Sequence, residues 1–138
     1  MTQTEVSPGS AEINRYWPHR GGSFTELLAS HPEEAPLPSP GPDEVIARVE
    51  AVSICSSDIK IVRMGSDHPL FANAAGVIDT VLGHEVCLRV HAVGREHAGR
   101  FRPGQRLGLQ PAMWIKGERR IIGMDMPGGF AQYLRLGS

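Results

Sequence analysis

Three side chains of this sequence have the chemistry to share one metal ion. They are the thiol of Cys55, in the run Cys55-Ser56-Ser57-Asp58, and the imidazole and carboxylate of Gly83-His84-Glu85. Zinc accepts thiolate, imidazole and carboxylate ligands in a tetrahedron, and a catalytic site supplies three of them while water or substrate takes the fourth position. Cys55, His84 and Glu85 meet that count. Neighbouring side chains on a regular strand point to opposite faces, so His84 and Glu85 face one ion only if the backbone breaks there. Gly83 supplies the break if it takes a backbone angle closed to other residues. The same residues equally fit a buried cysteine near a hydrogen-bonded His-Glu pair, both ordinary structural features. Spacing alone leaves the two readings open.

The elements that must position these groups are legible as alternation and punctuation. Val45, Ala47, Val49 and Ala51 alternate with Arg48 and Glu50, and Val86, Leu88, Val90 and Ala92 repeat the pattern, so both runs read as half-buried strands. Further strands are expected over Arg106 to Gln110 and Phe130 to Leu136, introduced by the turn signals Pro103-Gly104 and Pro127-Gly128-Gly129. Between the first two strands, Ser56 or Ser57 fits an N-cap, Asp58 suits the positive end of a helix dipole, and Gly65 is a stop signal, which predicts one or two helical turns. Cys55 then sits at a strand-to-helix junction. From His31 to Pro42 the chain carries five prolines and reads as an extended surface connector. Short strands between glycine and proline turns predict a mainly β domain, a small barrel or sandwich.

Composition sets the outer bounds. The chain has 138 residues, 41% of them hydrophobic, and a formal net charge of -1, which suits a single domain over residues 13–138 behind a flexible polar N-terminus, residues 1–12. Two cysteines make no disulfide scaffold and fit a reducing compartment. The near-neutral charge leaves no electrostatic footprint for nucleic acid. No apolar run approaches the roughly 20 residues that span a bilayer, and the polar opening lacks the basic and apolar regions of a signal peptide, so a cytoplasmic protein is expected. The sixteen glycines nowhere form Gly-x-Gly-x-x-Gly after a strand, so any nicotinamide chemistry must borrow its nucleotide site.

Five motifs in order carry a resemblance: Cys55-x-Ser57-Asp58, Gly83-His84-Glu85, Val93-Gly94, Phe101-Arg102-Pro103-Gly104-Gln105-Arg106, and Gly128-Gly129-Phe130-Ala131-Gln132-Tyr133. Over about Pro42 to Leu136 the chain resembles the catalytic domain of zinc-dependent medium-chain alcohol and polyol dehydrogenases. The resemblance implies a GroES-like, partly open β-barrel with a few short helices, normally continued by a Rossmann domain that binds NAD or NADP and closes the active-site cleft. Zinc-free relatives such as the quinone oxidoreductases characteristically lack the cysteine and the Gly-His-Glu, which places this chain nearer the zinc branch.

The resemblance also implies roles. Cys55 and His84 match zinc ligands, and Glu85 matches a residue that binds zinc in polyol-type members and approaches it conditionally in others. Ser57 matches the hydroxyl that relays the proton of the alcohol, and Asp58 matches the carboxylate that orients the ligating histidine. Read without the family, Ser57 is a helix-capping serine and Asp58 a first-turn acid.

Departures from the family pattern bound what carries over. Ser56 replaces the usual glycine, and Leu88 stands where many members have a glycine. The stretch from Gln110 to Pro127 has no cysteine, where many members place four for a structural zinc, so no structural zinc is expected. The sequence stops at Ser138, ahead of any nucleotide-binding half. Cys87 reads as a buried small thiol, His68 and Asp67 as an exposed loop pair, and His91 and His97 as residues without a partner pattern. Arg95, Arg100, Arg102 and Arg106 read as solvated turn residues, although Phe-Arg-Pro-Gly-Gln-Arg is similar to a sugar-phosphate reductase branch. Trp114 is expected to cover the lobe that a structural zinc would otherwise organise.

Two functions follow as expectations. The first is the zinc-binding catalytic domain of an NAD(P)-dependent alcohol, polyol or sugar dehydrogenase, completed by a Rossmann half or subunit. The second is a free-standing GroES-like module that binds a partner or ligand without catalysis. A surface meant to face a Rossmann half is apolar when uncovered, so self-association into a homo-oligomer is also expected.

Overall fold

Alternating apolar residues make the centre of the domain. In the computed structural model, which describes residues 12–72 and 80–137, the elements in chain order are β1 (Ile13–Tyr16), β2 (Pro18–His19), α1 (Phe24–Ala29), β3 (Glu33–Pro36), β4 (Val45–Ser53), α2 (Ser56–Met64), α3 (Pro69–Ala72), β5 (Thr80–Val81), β6 (Glu85–Val93), β7 (Arg106–Gly108), β8 (Ala112–Ile115), β9 (Glu118–Ile121) and β10 (Tyr133–Leu136). All but Glu12 of the tail expected over residues 1–12 lies outside the described residues. The main sheet is antiparallel in the order β10-β4-β6-β7. Three two-stranded sheets, β1-β3, β2-β5 and β8-β9, accompany it among the described residues. The fold is mainly strand with short helices, as the sequence implies, and among the described residues the sheets stay open. No described helix is long and apolar enough to cross a membrane.

Ala47, Val86, Leu88 and Leu134 form one buried cluster of the core, with Val49, Val52, Leu107, Leu109 and Leu136 packed against it. Leu88, fully buried, fills the space that the family pattern leaves to glycine. Burying a leucine of this kind contributes roughly 1.5–3 kcal/mol.

Several boundaries differ from expectation for identifiable reasons. The β4-β6 pairing slips between Val49 and Ala51, where the ladder changes from Val49 opposite Leu88 to Ala51 opposite Cys87. A one-residue slip exchanges the faces of a strand, so Ala51, expected inside, is exposed and Val52 turns inward. Part of the proline-rich connector is strand: β3 pairs with β1, with Pro36 opposite Ile13 at its end, where proline is tolerated. The strand expected from Arg106 to Gln110 stops at Gly108. The one expected from Phe130 begins at Tyr133, because the N–H groups of Gly128, Gly129 and Phe130 donate to the carbonyls of Val81, Gly83 and Leu82 at 2.7, 2.6 and 3.0 Å. A Cβ on Gly128 would lie 2.5 Å from the Gly83 and Leu82 carbonyl oxygens, so that close approach needs glycine.

The lobe after β7 is a twisted ribbon of β8 and β9 joined by Lys116-Gly117. Trp114, opposite Arg119 on the two-stranded β8-β9 sheet, is 76% exposed and, contrary to expectation, covers no lobe among the described residues.

Candidate metal centre

The chain leaves β4 at Ser53, passes through Cys55 and enters α2. The N-cap is Cys55 rather than either serine, and Asp58, three residues into the helix, accepts the Cys55 N–H on Oδ2 at 2.8 Å. The helix runs from Ser56 to Met64 before Gly65 stops it, which is longer than the one or two turns expected.

The second segment approaches from β5. Gly83 has φ 91°, a left-handed value that lets the backbone turn between Leu82 and His84. Its N–H donates to Asp58 Oδ1 at 3.2 Å. Asp58, only 3% exposed, therefore ties the Cys55 segment to the His84 segment through two backbone hydrogen bonds. The same Oδ1 lies 3.5 Å from His84 Nδ1, a buried nitrogen without a hydrogen-bond partner among the described residues. The other ring nitrogen, Nε2, is 3.3 Å from Ser57 Oγ.

These contacts bring together every site residue singled out from the sequence. One potential ligand atom each from Cys55, His84 and Glu85 lies within 4.8 Å of the others. Glu85 is the first residue of β6 and Ser53 the last of β4, and the two are register partners. The Ser53 hydroxyl donates to Glu85 Oε2. Sequence reasoning did not single out Ser53, since the slip that sets it opposite Glu85 leaves no mark in the residue pattern.

The Cys55 thiol is held down to about pKa 7, first by the backbone N–H of Ser57, then by the Ser57 hydroxyl, His84 and Ser56. A cysteine at a helix N-terminus surrounded by donors favours thiolate, the form that binds metal. Thiolate, imidazole and carboxylate at this separation, with a buried acid facing the second histidine nitrogen, suit zinc.

Residues set aside in the sequence fall outside this group. Cys87 is exposed rather than buried, because alternation turns Leu88 inward and leaves the thiol between the small residues Ala51 and Gly108. Asp67 is exposed, as expected, but His68 is half-buried and its Nδ1 accepts the Leu70 N–H at 3.2 Å. His91 and His97 do have partners, the Glu12 carboxylate at 2.8 Å and the Asp43 carbonyl at 3.1 Å. Arg95, Arg100, Arg102 and Arg106 are all exposed, and Arg106 pairs with Glu50 at 3.2 Å.

Asp58 also borders a groove of about 1220 Å³, with walls that include Trp17, Phe24, Leu28, Ile54, Ile59 and Val62. Leu28 and Ile54 are each 70% exposed. His19 lines the groove too, buried with no partner for Nε2 among the described residues, and burial lowers its pKa.

The chain is similar to known proteins over this same region. Residues 41–138 match the family model of the alcohol dehydrogenase GroES-like domain. L-sorbose 1-phosphate reductase of Klebsiella pneumoniae is 32% identical over 100 residues, covering 71% of this chain and 24% of the reductase. Sorbitol dehydrogenase of Homo sapiens is 35% identical over 79 residues, covering 57% of this chain and 21% of that enzyme. The chain thus spans under a quarter of the length of these two relatives, 24% and 21% respectively. The crystal structure of AibC shares the fold at a TM-score of 0.71 and 24% identity, over 92% of this chain and 37% of that one. The matched residues include both strands and the helix that frame Cys55, His84 and Glu85, and the chain belongs to the alcohol dehydrogenase GroES-like domain family.

Proposed function

We propose that this chain is the zinc-binding catalytic domain of an NAD(P)-dependent dehydrogenase acting on a small alcohol, polyol or sugar. The observation that carries the reading is the meeting of Cys55, His84 and Glu85 ligand atoms within 4.8 Å of one another. Cys55, His84 and Glu85 would hold the metal, with Asp58 orienting His84 from the buried side. When bound, zinc supplies a Lewis acid that lowers the pKa of an alcohol hydroxyl. Ser57, whose Oγ lies 3.3 Å from His84 Nε2, would take the proton of that hydroxyl and pass it outward, and a bound nicotinamide would supply the hydride acceptor.

The nicotinamide requires a Rossmann domain, as a continuation of the chain or as a separate subunit, and residues 13–138 work as one domain against it. The exposed apolar groove beside Asp58 supports such a partner. Two free cysteines agree with a cytoplasmic setting. The relatives named above act on sorbose 1-phosphate and sorbitol by their names, which supports a polyol or sugar substrate.

The reading is tested by NAD(P)-dependent oxidation of a polyol panel, with the chain joined to or mixed with its Rossmann half. Turnover that disappears in Cys55→Ser is expected. Full activity and full metal content in that variant contradict the assignment. The groove on its own favours a second reading, a GroES-like module that binds without catalysis. Steady turnover by the assembled protein excludes it.

A further inference from the structure

We propose that Ser53 is a positioning residue that holds the Glu85 carboxylate in the metal cluster. The proposal rests on the zinc reading above and adds a residue to it. Four residues bracket the junction: Ser53 lies two before Cys55, and Glu85 lies one after His84. On the buried side, Asp58 already ties the two segments through the N–H groups of Cys55 and Gly83. On the exposed side, the Ser53-Glu85 bond ties them again.

Register explains why the serine is available. Without the slip between Val49 and Ala51, Val52 would stand opposite Glu85, and Val52 has no donor. With the slip, Ser53 is the direct partner, and side chains of directly paired residues share a face. A carboxylate is an acceptor only, so its placement depends on what donates to it. Glu85 is exposed, and an unheld glutamate samples many rotamers whose entropy opposes metal binding. Ser53 donates to Oε2 and leaves Oε1 without a hydrogen-bond partner among the described residues. Glu85 is therefore held at the cluster with one oxygen unshared.

The test is zinc affinity of the purified chain, measured by competition with a chromophoric chelator. Ser53→Ala is compared with the unmodified chain and with Ser53→Thr, which keeps the hydroxyl. Both states of residue 53, serine and alanine, are also measured in a Glu85→Ala background. Groups that support metal ligands typically change affinity by 10–100-fold, so Ser53→Ala is expected to weaken zinc about tenfold. Recovery of affinity in Ser53→Thr, and loss of the Ser53→Ala effect once Glu85 is alanine, are the expected companions. Equal affinity in Ser53→Ala and the unmodified chain overturns the proposal and leaves the zinc reading standing. So does a loss that persists undiminished in the Glu85→Ala background, which means that Ser53 acts on the fold instead. An unmodified chain that binds no zinc overturns the metal reading itself, and the proposal with it.

Discussion

The Asp58 carboxylate accepts the Gly83 N–H at 3.2 Å across twenty-five residues of sequence, and this bond is where the helix and the histidine segment are fixed to each other. The acid also accepts the Cys55 N–H at 2.8 Å. Removing it leaves two backbone donors without their acceptor, and each such loss costs about 1–3 kcal/mol when the donor is buried. Asp58→Ala is therefore expected to destabilise the domain by about 2–4 kcal/mol in urea unfolding and to weaken zinc binding together with it. Unchanged stability in that variant contradicts the bridging role.

Ser57 is separable from the metal ligands. Its hydroxyl meets His84 Nε2 at 3.3 Å, yet a neutral hydroxyl is not one of the thiolate, imidazole and carboxylate donors that zinc takes. A positioned proton-transfer group contributes roughly 10²–10⁴-fold to rate. Ser57→Ala in the enzyme assembled with its Rossmann half is expected to lower kcat by about 10²-fold or more while metal content stays full. Loss of zinc in that variant, or unchanged kcat, speaks against the relay.

Much of this centre is legible in the sequence, and the reasons are physical. Period-two alternation is strong enough to locate β4 and β6, and Asp58 and Gly65 place α2, although its N-cap is Cys55 and not Ser56 or Ser57. What stayed hidden depends on partners distant in sequence. The slip at Val49 and Ala51 is a property of two strands together, so neither the inward turn of Val52 nor the pairing of Ser53 with Glu85 can be read from either strand alone. The same holds for Cys87, whose exposure follows from the small size of Ala51 and Gly108 across from it. β3 hides among prolines because, among the described residues, it pairs on one side only, with β1.

Cys55 gives a pH-dependent readout. With its pKa lowered to about 7, chiefly by the Ser57 N–H, the metal-free thiol is mostly protonated below that pH and mostly thiolate above it. Thiolate is the nucleophile, so alkylation of Cys55 by iodoacetamide in a Cys87→Ala chain is expected to rise through about pH 7 and level off above it. Added zinc is expected to protect the residue. A midpoint near the ordinary cysteine value of about 8.5 contradicts the donor environment described at the helix N-terminus.

The groove bounded by Trp17, Phe24, Leu28 and Ile54 is expected to drive self-association when the chain is studied alone. Light scattering of the unmodified chain should give a mass that rises with concentration, and a Leu28→Glu, Ile54→Glu double variant should lower it, since both side chains are 70% exposed. A monodisperse monomer in the unmodified chain contradicts this expectation.

The most direct test of the metal centre is zinc stoichiometry by elemental analysis of the purified chain beside a His84→Ala variant. About one zinc per chain, lost in the variant, is predicted from the Cys55, His84 and Glu85 donor set. No zinc in the unmodified chain after loading, or full retention in His84→Ala, contradicts the account.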